Sequence, residues 1–338
     1  MKRRAVYFEK PYTIVVREEP LPEPAANEVL VETIHSAISS GTELLFYRGQ
    51  VPEGMAVDES IASLRGSIAY PLKYGYTAVG RVRRTGEKVA SSWMNRPVFC
   101  FQPHQSHFIA RPEELLPIPE DLSAQDALFL PNMETAVNFV MDGRPLIGEN
   151  VVVFGQGIVG LLTTALLSRF PLKSLFTLDR YPRRREKSMQ LGAHASYDPG
   201  SRLDLDEIKK NLDTEAGADL IYEISGHPDA LDSAIALASF ATRIVVGSWY
   251  GTKRSALDLG SNFHRHRIRI ISSQVSTIDP VFSGRWDKKR RMDVVFDMLR
   301  HVRPAHLISH HFPVQDAAAA FAMLDKNPTD GIQVVLDY

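Results

Sequence analysis

The residues best placed to do chemistry are three glycines in the spacing G-x-G-x-x-G. They are Gly155, Gly157 and Gly160, within Val151-Val-Val-Phe-Gly-Gln-Gly-Ile-Val-Gly160. The apolar run before them reads as a buried parallel strand, and the run after them as a helix lasting to about Phe170. In that setting each glycine has a task. Gly155 permits a tight turn, Gly157 lets backbone approach a pyrophosphate, and Gly160 lets helix and strand pack closely. Gln156, Ile158 and Val159 then bring backbone N–H groups and the positive end of the helix dipole towards the phosphates. A second strand, Ser174–Leu178, ends in Asp179, about two dozen residues beyond Gly155, where an acid meets ribose hydroxyls. A carboxylate repels a 2′-phosphate, so NAD is expected over NADP. Arg180 and Arg183–Arg185 follow directly and would accept that phosphate if Asp179 turned aside, so NADP stays open.

Other clusters are weaker. His104 and His107 form a His-x-x-His pair, but no third ligand is near and a β-region does not put i and i+3 on one face. His264, Arg265, His266 and Arg267 read as an anion patch or, more simply, as a solvated turn. The Lys288, Lys289, Arg290, Arg291 cluster reads as a solvated helix face.

The elements that must position these residues fall into two patterns. To about Ala124 the chain is β-rich, with strands expected at Ala5–Phe8, Thr13–Arg17, Glu28–Ser36, Ala78–Val82, Pro97–Phe101 and His107–Ala110. Gln50 to Tyr70 has no strand pattern. It reads as a lid or substrate loop with a short possible helix at Asp58–Leu64. Ser123 caps an expected helix running to about Met141. From Asn150 strands and helices alternate, with strands at Val151–Phe154, Ser174–Leu178, Ala195–Tyr197, Leu220–Ile224, Arg243–Val246 and Arg269–Val275. This is an α/β fold with a doubly wound, six-stranded parallel sheet. Ser225, Gly226, Gly247 and Ser248 end the fourth and fifth strands, where the ligand crevice of such a sheet lies. Beyond it the spacing gives helices at about Lys288–His301 and Val314–Leu324, and a last strand, Ile332–Leu336. Domain boundaries are expected at 1–124, 125–275 and 276–338, the last a return to the first domain.

Bulk numbers narrow the class. A chain of 338 residues with net charge −1 has room for two domains and lacks the basic field of a nucleic-acid or membrane binder. Its single cysteine, Cys100, excludes an intrachain disulfide and a multi-cysteine zinc lobe. The basic start Met-Lys-Arg-Arg is not followed by an apolar core, so no signal peptide is expected and the location should be cytoplasmic. The longest apolar run, Val151 to Leu167, is broken by glycines and is not a membrane span.

This order of parts resembles the medium-chain dehydrogenase/reductase family over essentially the whole chain. The carriers are Gly75-Tyr-Thr-Ala-Val-Gly80, the glycine motif, Gly217-Ala-Asp-Leu-Ile-Tyr-Glu223 and Val245-Val-Gly-Ser-Trp-Tyr-Gly251. Ser36-Ala-Ile-Ser-Ser-Gly-Thr-Glu43 and Ile271-Ser-Ser-Gln-Val275 make it most similar to the bacteriochlorophyllide dehydrogenase-like group. The resemblance implies a GroES-like β-rich catalytic domain beside a Rossmann domain. It also implies hydride transfer between a nicotinamide and an alcohol/carbonyl substrate. Reduction of an activated C=C bond, or cofactor binding without turnover, are the alternatives. Zinc members carry cysteine, histidine and a further cysteine or glutamate where this chain has Ser39 or Ser40, Tyr76-Thr77 and Pro131. No zinc is therefore expected. In its place Thr42 aligns with the family's hydroxyl relay, Tyr76 stands where a ligand would point, Glu43 can orient a neighbour, and His104 can reach the substrate pocket. Thr135 should lie near the nicotinamide. The partners expected are a small-molecule substrate and a second copy of the chain, joined through the apolar edge strand Arg269–Val275.

Overall fold

The computed structural model describes residues 1–52, 54, 61–64, 66–212 and 217–338. The chain forms two compact units, one of residues 1–131 and 303–338, the other of residues 132–302. The return to the first unit comes at Arg303 rather than near 276, because the helix Lys288–Val302 belongs to the second. It buries Arg291, Val295 and Leu299. The Arg291 guanidinium donates to Glu134 Oε1 at 2.7 Å, Asn138 Oδ1 at 2.6 Å and the carbonyls of Val275 and Thr277. The basic cluster is thus not wholly a solvated face.

The first unit is built on two sheets. One runs in the order Ile308–Pro313, Gln333–Asp337, Val29–Ile38, Ala78–Thr85, Pro97–Cys100, Leu116–Pro117, with His107–Ala110 also paired to Val29–Ile38. The other pairs Lys2–Lys10 with Thr13–Pro20 on one side and Leu72–Lys73 on the other. Alternating side chains put Val29, Val31, Val82, Val98 and Phe108 into one core cluster. A second cluster is aromatic. Phe8 meets Phe321 edge to face at 5.1 Å, and Phe46 stacks on Tyr74 at 3.9 Å.

Three local expectations change. Thr42 and Glu43 lie in a helix, Ser40–Arg48, ended by Gly49 in the left-handed conformation at φ 67°. Its run Leu44–Tyr47 is buried at four successive positions, so no helical stripe marks it. The helix expected from Ser123 to Met141 is two helices, Ala124–Ala127 and Leu130–Gly143. Ser123 does cap the first, its Oγ accepting from Asp126 N at 2.9 Å. Pro131 lacks the N–H that a continuous helix would bond to the Ala127 carbonyl, and it is tolerated in a new first turn. The strand Ile308–Pro313 was not expected. Residues 58–60 of the helix expected at Asp58–Leu64 lie outside the described residues, and the rest holds a 3-10 turn at Ala62–Leu64.

The second unit has the doubly wound architecture. Six parallel strands run in the order Ala195–Tyr197, Ser174–Leu178, Asn150–Phe154, Ala218–Glu223, Ala238–Val246, Arg269–Ser272. Asn150–Phe154 and Ser174–Leu178 are buried at every position, as strands covered on both faces must be. The sixth strand stops at Ser272, not Val275. The Ser273 hydroxyl turns to Asp142 and Asn138, and the Val275 carbonyl turns to Arg291. Among the described residues no helix is long and apolar enough to cross a membrane.

Candidate active site

The glycine turn of the second unit follows the strand Asn150–Phe154 and opens the helix Ile158–Leu167. Gly155 sits at φ +90°, and a Cβ there would lie 2.5 Å from Ser225 Cα. A Cβ on Gly160 would lie 1.9 Å from the Gly155 carbonyl oxygen. Gly157 differs: a Cβ there would meet nothing within 4 Å. That open space at a helix N-terminus fits a pyrophosphate, because the N–H groups of Ile158, Val159 and Gly160 have no intrahelical acceptor. Leu161 N closes the first turn on Gly157 O at 2.9 Å.

Asp179 is buried at the end of its strand. One carboxylate oxygen accepts from Gln156 N at 2.7 Å and the other from Tyr181 N at 2.8 Å. The acid therefore ties the glycine turn to the next strand, and a carboxylate still has lone pairs for ribose hydroxyls. The Gln156 side chain points inward, bonding Gly155 O and Thr164 Oγ1, so this residue offers a ligand its surroundings rather than its amide. Arg184 lies 4.0 Å from Asp179 and over the Tyr181 ring. Arg185 donates to the carbonyls of Asp179 and Arg180, and Arg180 itself is exposed. Two of the arginines are thus committed to holding the strand end.

At the ends of the fourth and fifth strands the sequence left out the central group. Glu223 is fully buried and accepts from Ser225 N at 2.8 Å, from the Ser225 hydroxyl and from the Tyr250 hydroxyl. Burial, then the Glu223 charge, pushes the Tyr250 phenol up, so it stays a neutral donor. Gly226 N donates to Ser248 Oγ at 2.9 Å, and the Gly226 carbonyl accepts from Lys253 Nζ at 2.7 Å. Gly247 needs its lack of side chain for another reason than expected: a Cβ would lie 2.0 Å from the Phe139 ring. Thr135 is half-buried on the helix Leu130–Gly143.

The first unit carries a polar cluster of its own. Ser39 is the residue before the helix Ser40–Arg48, and its N–H donates to Glu43 Oε1 at 2.8 Å. The Tyr76 hydroxyl donates to Ser39 Oγ. Ser39, rather than Ser40, is therefore the serine that meets Tyr76. Thr42 is half-buried in the first turn, its N–H bonded to Ser39 O at 3.1 Å. Behind the pair, Glu43 and His104 are both fully buried, with Glu43 Oε2 and His104 Nε2 at 2.8 Å. His104 Nδ1 lies 2.7 Å from Ser36 Oγ, which in turn lies 2.9 Å from the Tyr338 hydroxyl. Gly75, at φ +114°, lets the chain pass over the imidazole, since a Cβ there would lie 2.8 Å from the His104 ring.

This corrects the expectation for His104. It is fully buried, with its Nε2 against Glu43 rather than open to a substrate. Nor does it form a site with His107, whose Nδ1 lies 3.1 Å from Ser106 Oγ. His264, Arg265 and Arg267 are exposed, as a solvated turn requires. At the positions of the family's zinc ligands the meeting groups are two hydroxyls. Thr77 is buried with its carbonyl bonded to Ala37 N, and Pro131 has no donor atom on its side chain. This donor set does not fit zinc, which binds thiolate, imidazole or carboxylate.

Residues 159–299 match the zinc-binding dehydrogenase family model. The chain is 24% identical to the starvation-sensing protein RspB of Escherichia coli K12 over 99% of each chain. It is also 24% identical to the 2-desacetyl-2-hydroxyethyl bacteriochlorophyllide A dehydrogenase of Cereibacter sphaeroides, over 100% of this chain and 99% of that one. The crystal structure of the alcohol dehydrogenase RspB from E. coli CFT073 with cofactor NADH shares the fold. It has a TM-score of 0.80 and 22% identity, covering 100% of this chain and 99% of that one. The strand order, the glycine turn and these matches together give the chain the medium-chain dehydrogenase/reductase fold, with a zinc-binding dehydrogenase domain over residues 159–299.

Proposed function

We propose that this protein is an NAD-dependent oxidoreductase that works on an alcohol/carbonyl pair without a catalytic zinc. The observation that carries this reading is the Tyr76–Ser39 hydroxyl pair, held from behind by buried Glu43 and His104. A carbonyl gaining a hydride needs a donor beside its oxygen. The hydroxyls of Tyr76 and Ser39 give that donor in place of a metal, with Thr42 beside them in the first helical turn. Glu43 and His104 touch no substrate in this scheme. They are positioning residues that fix the Ser39 turn. The residues of the second unit fit a dinucleotide: the space at Gly157 for the pyrophosphate, Asp179 for the ribose, and the Ser225, Gly226 and Ser248 turn at the strand ends. When bound, the nicotinamide supplies or accepts the hydride.

The test is a screen of aldehydes, ketones and activated enones against NADH and NADPH, with product analysis. Alcohol products support the reading, and saturation of a C=C bond would replace it. Metal analysis of the purified chain and of Tyr76→Phe and Ser39→Ala should reveal no zinc that depends on either hydroxyl.

NADH should bind more tightly than NADPH, because Asp179 occupies the ribose end of the turn. Fluorescence titration measures the preference, and Asp179→Ala should erode it. Tenfold tighter NADPH, about 1.4 kcal/mol, would reverse the assignment.

We also propose a homodimer through the sixth strand. Ile270 is 38% exposed there, and the strand is an edge of the sheet. Pairing with a symmetry mate would continue the sheet across a two-fold axis. Light scattering should give a dimer, and Ile271→Pro should give a monomer by removing a ladder bond. A native monomer at micromolar concentration would rule the dimer out.

A further inference from the structure

A second cluster of chemistry-bearing side chains lies in the first unit. His35 is on the strand Val29–Ile38, Asp337 on Gln333–Asp337 and His311 on Ile308–Pro313. These are three adjacent strands at one edge of the sheet. The register brings the residues together. Asp337 stands directly opposite His35, and His311 stands opposite Val335, two positions before Asp337. Opposite and two-apart positions share a face of a sheet. His35 Nδ1 lies 2.6 Å from Asp337 Oδ1, and His311 Nδ1 lies 3.2 Å and 3.1 Å from the two carboxylate oxygens. One donor atom from each residue lies within 4.8 Å of the others.

From this geometry we infer a binding site for a divalent transition-metal ion, with His35, His311 and Asp337 as ligands. Zinc is held by imidazole nitrogen and carboxylate oxygen at about 2.0–2.2 Å, which puts tetrahedral neighbours roughly 3.3 Å apart. The His311–Asp337 spacing already matches, and His35 needs to withdraw by less than roughly an ångström. Two imidazoles with one carboxylate favour such an ion over magnesium or calcium, which prefer all-oxygen shells. Charge points the same way. Both ion pairs that Asp337 makes with described residues are to histidines. The side chains of His311 and Asp337 are 40% and 38% exposed, so solvent can reach the site and fill a fourth position. None of its three residues stands where the family's zinc ligands would, so its zinc would not be the family's catalytic zinc.

The probe is zinc chloride added to the full chain after chelator treatment, with magnesium as control. Equilibrium dialysis should find one zinc per chain and no magnesium. His311→Ala, on an exposed edge position, should weaken zinc at least tenfold, and Asp337→Asn should do the same. Zinc should raise the thermal midpoint of the native chain and leave that of both variants unmoved. Zinc bound as tightly by both variants as by the native chain overturns the proposal, as does native protein that takes up none at micromolar concentration. Zinc lost in Tyr76→Phe but kept in His311→Ala would overturn both this site and the zinc-free reading. Zinc lost only in the triad variants leaves that reading intact.

Discussion

Tyr76→Phe is expected to lower kcat by on the order of 100-fold or more, the effect of losing a positioned proton donor. NADH affinity should stay within about twofold, because the change is confined to the first unit and the glycine turn belongs to the second. Loss of rate with unchanged cofactor binding marks a group that acts on the reacting oxygen. Loss of both together would mean that the phenol only fills space. Glu43→Gln separates positioning from donation. The amide keeps an acceptor for Ser39 N but weakens the link to His104 Nε2, so the rate should fall less than in Tyr76→Phe. Its pH profile should shift where that of Tyr76→Phe collapses. An unchanged profile in Glu43→Gln would remove Glu43 and His104 from the mechanism.

Arg291→Met is expected to destabilise the second unit by about 3–5 kcal/mol, read by chemical denaturation. The guanidinium is 1% exposed and answers the Glu134 carboxylate, the Asn138 amide oxygen and two carbonyls. Methionine fills much of its volume but leaves Glu134 as an uncompensated, nearly buried charge. Adding Glu134→Gln should recover part of the loss, since a neutral amide is less costly to leave there. A single-variant loss under about 1 kcal/mol would show that water replaces the arginine, as at exposed ion pairs.

The nucleotide-binding half was legible because its signals are local. Strands buried on both faces are short apolar runs, and the glycine turn and Asp179 lie within one βαβ unit. The first unit was less legible because its contacts are not. Glu43 meets His104 across 61 residues, and His35 meets Asp337 across 302, so no spacing rule joins them. The strand Ile308-Ser-His-His-Phe-Pro313 has adjacent histidines in place of alternation, and only its pairing with Gln333–Asp337 makes it a strand. Glu223 closes the motif Gly217–Glu223, but nothing in that motif marks it as a hub. Its partner Tyr250 comes from the turn after the next strand, which only the folded sheet brings near.

The glycines of the second unit differ in what a changed sequence could do about them. The obstacle at Gly160 is the carbonyl oxygen of Gly155, and backbone atoms are the same in every variant. No second substitution can trim that oxygen, so a side chain at 160 has no suppressor among its contacts. The obstacle at Gly247 is the Phe139 ring, which a smaller residue would vacate. Gly247→Ala therefore has a route of compensation through Phe139→Leu, at the cost of some core packing. Over many generations position 247 can drift in company with 139, while position 160 has no partner with which to move.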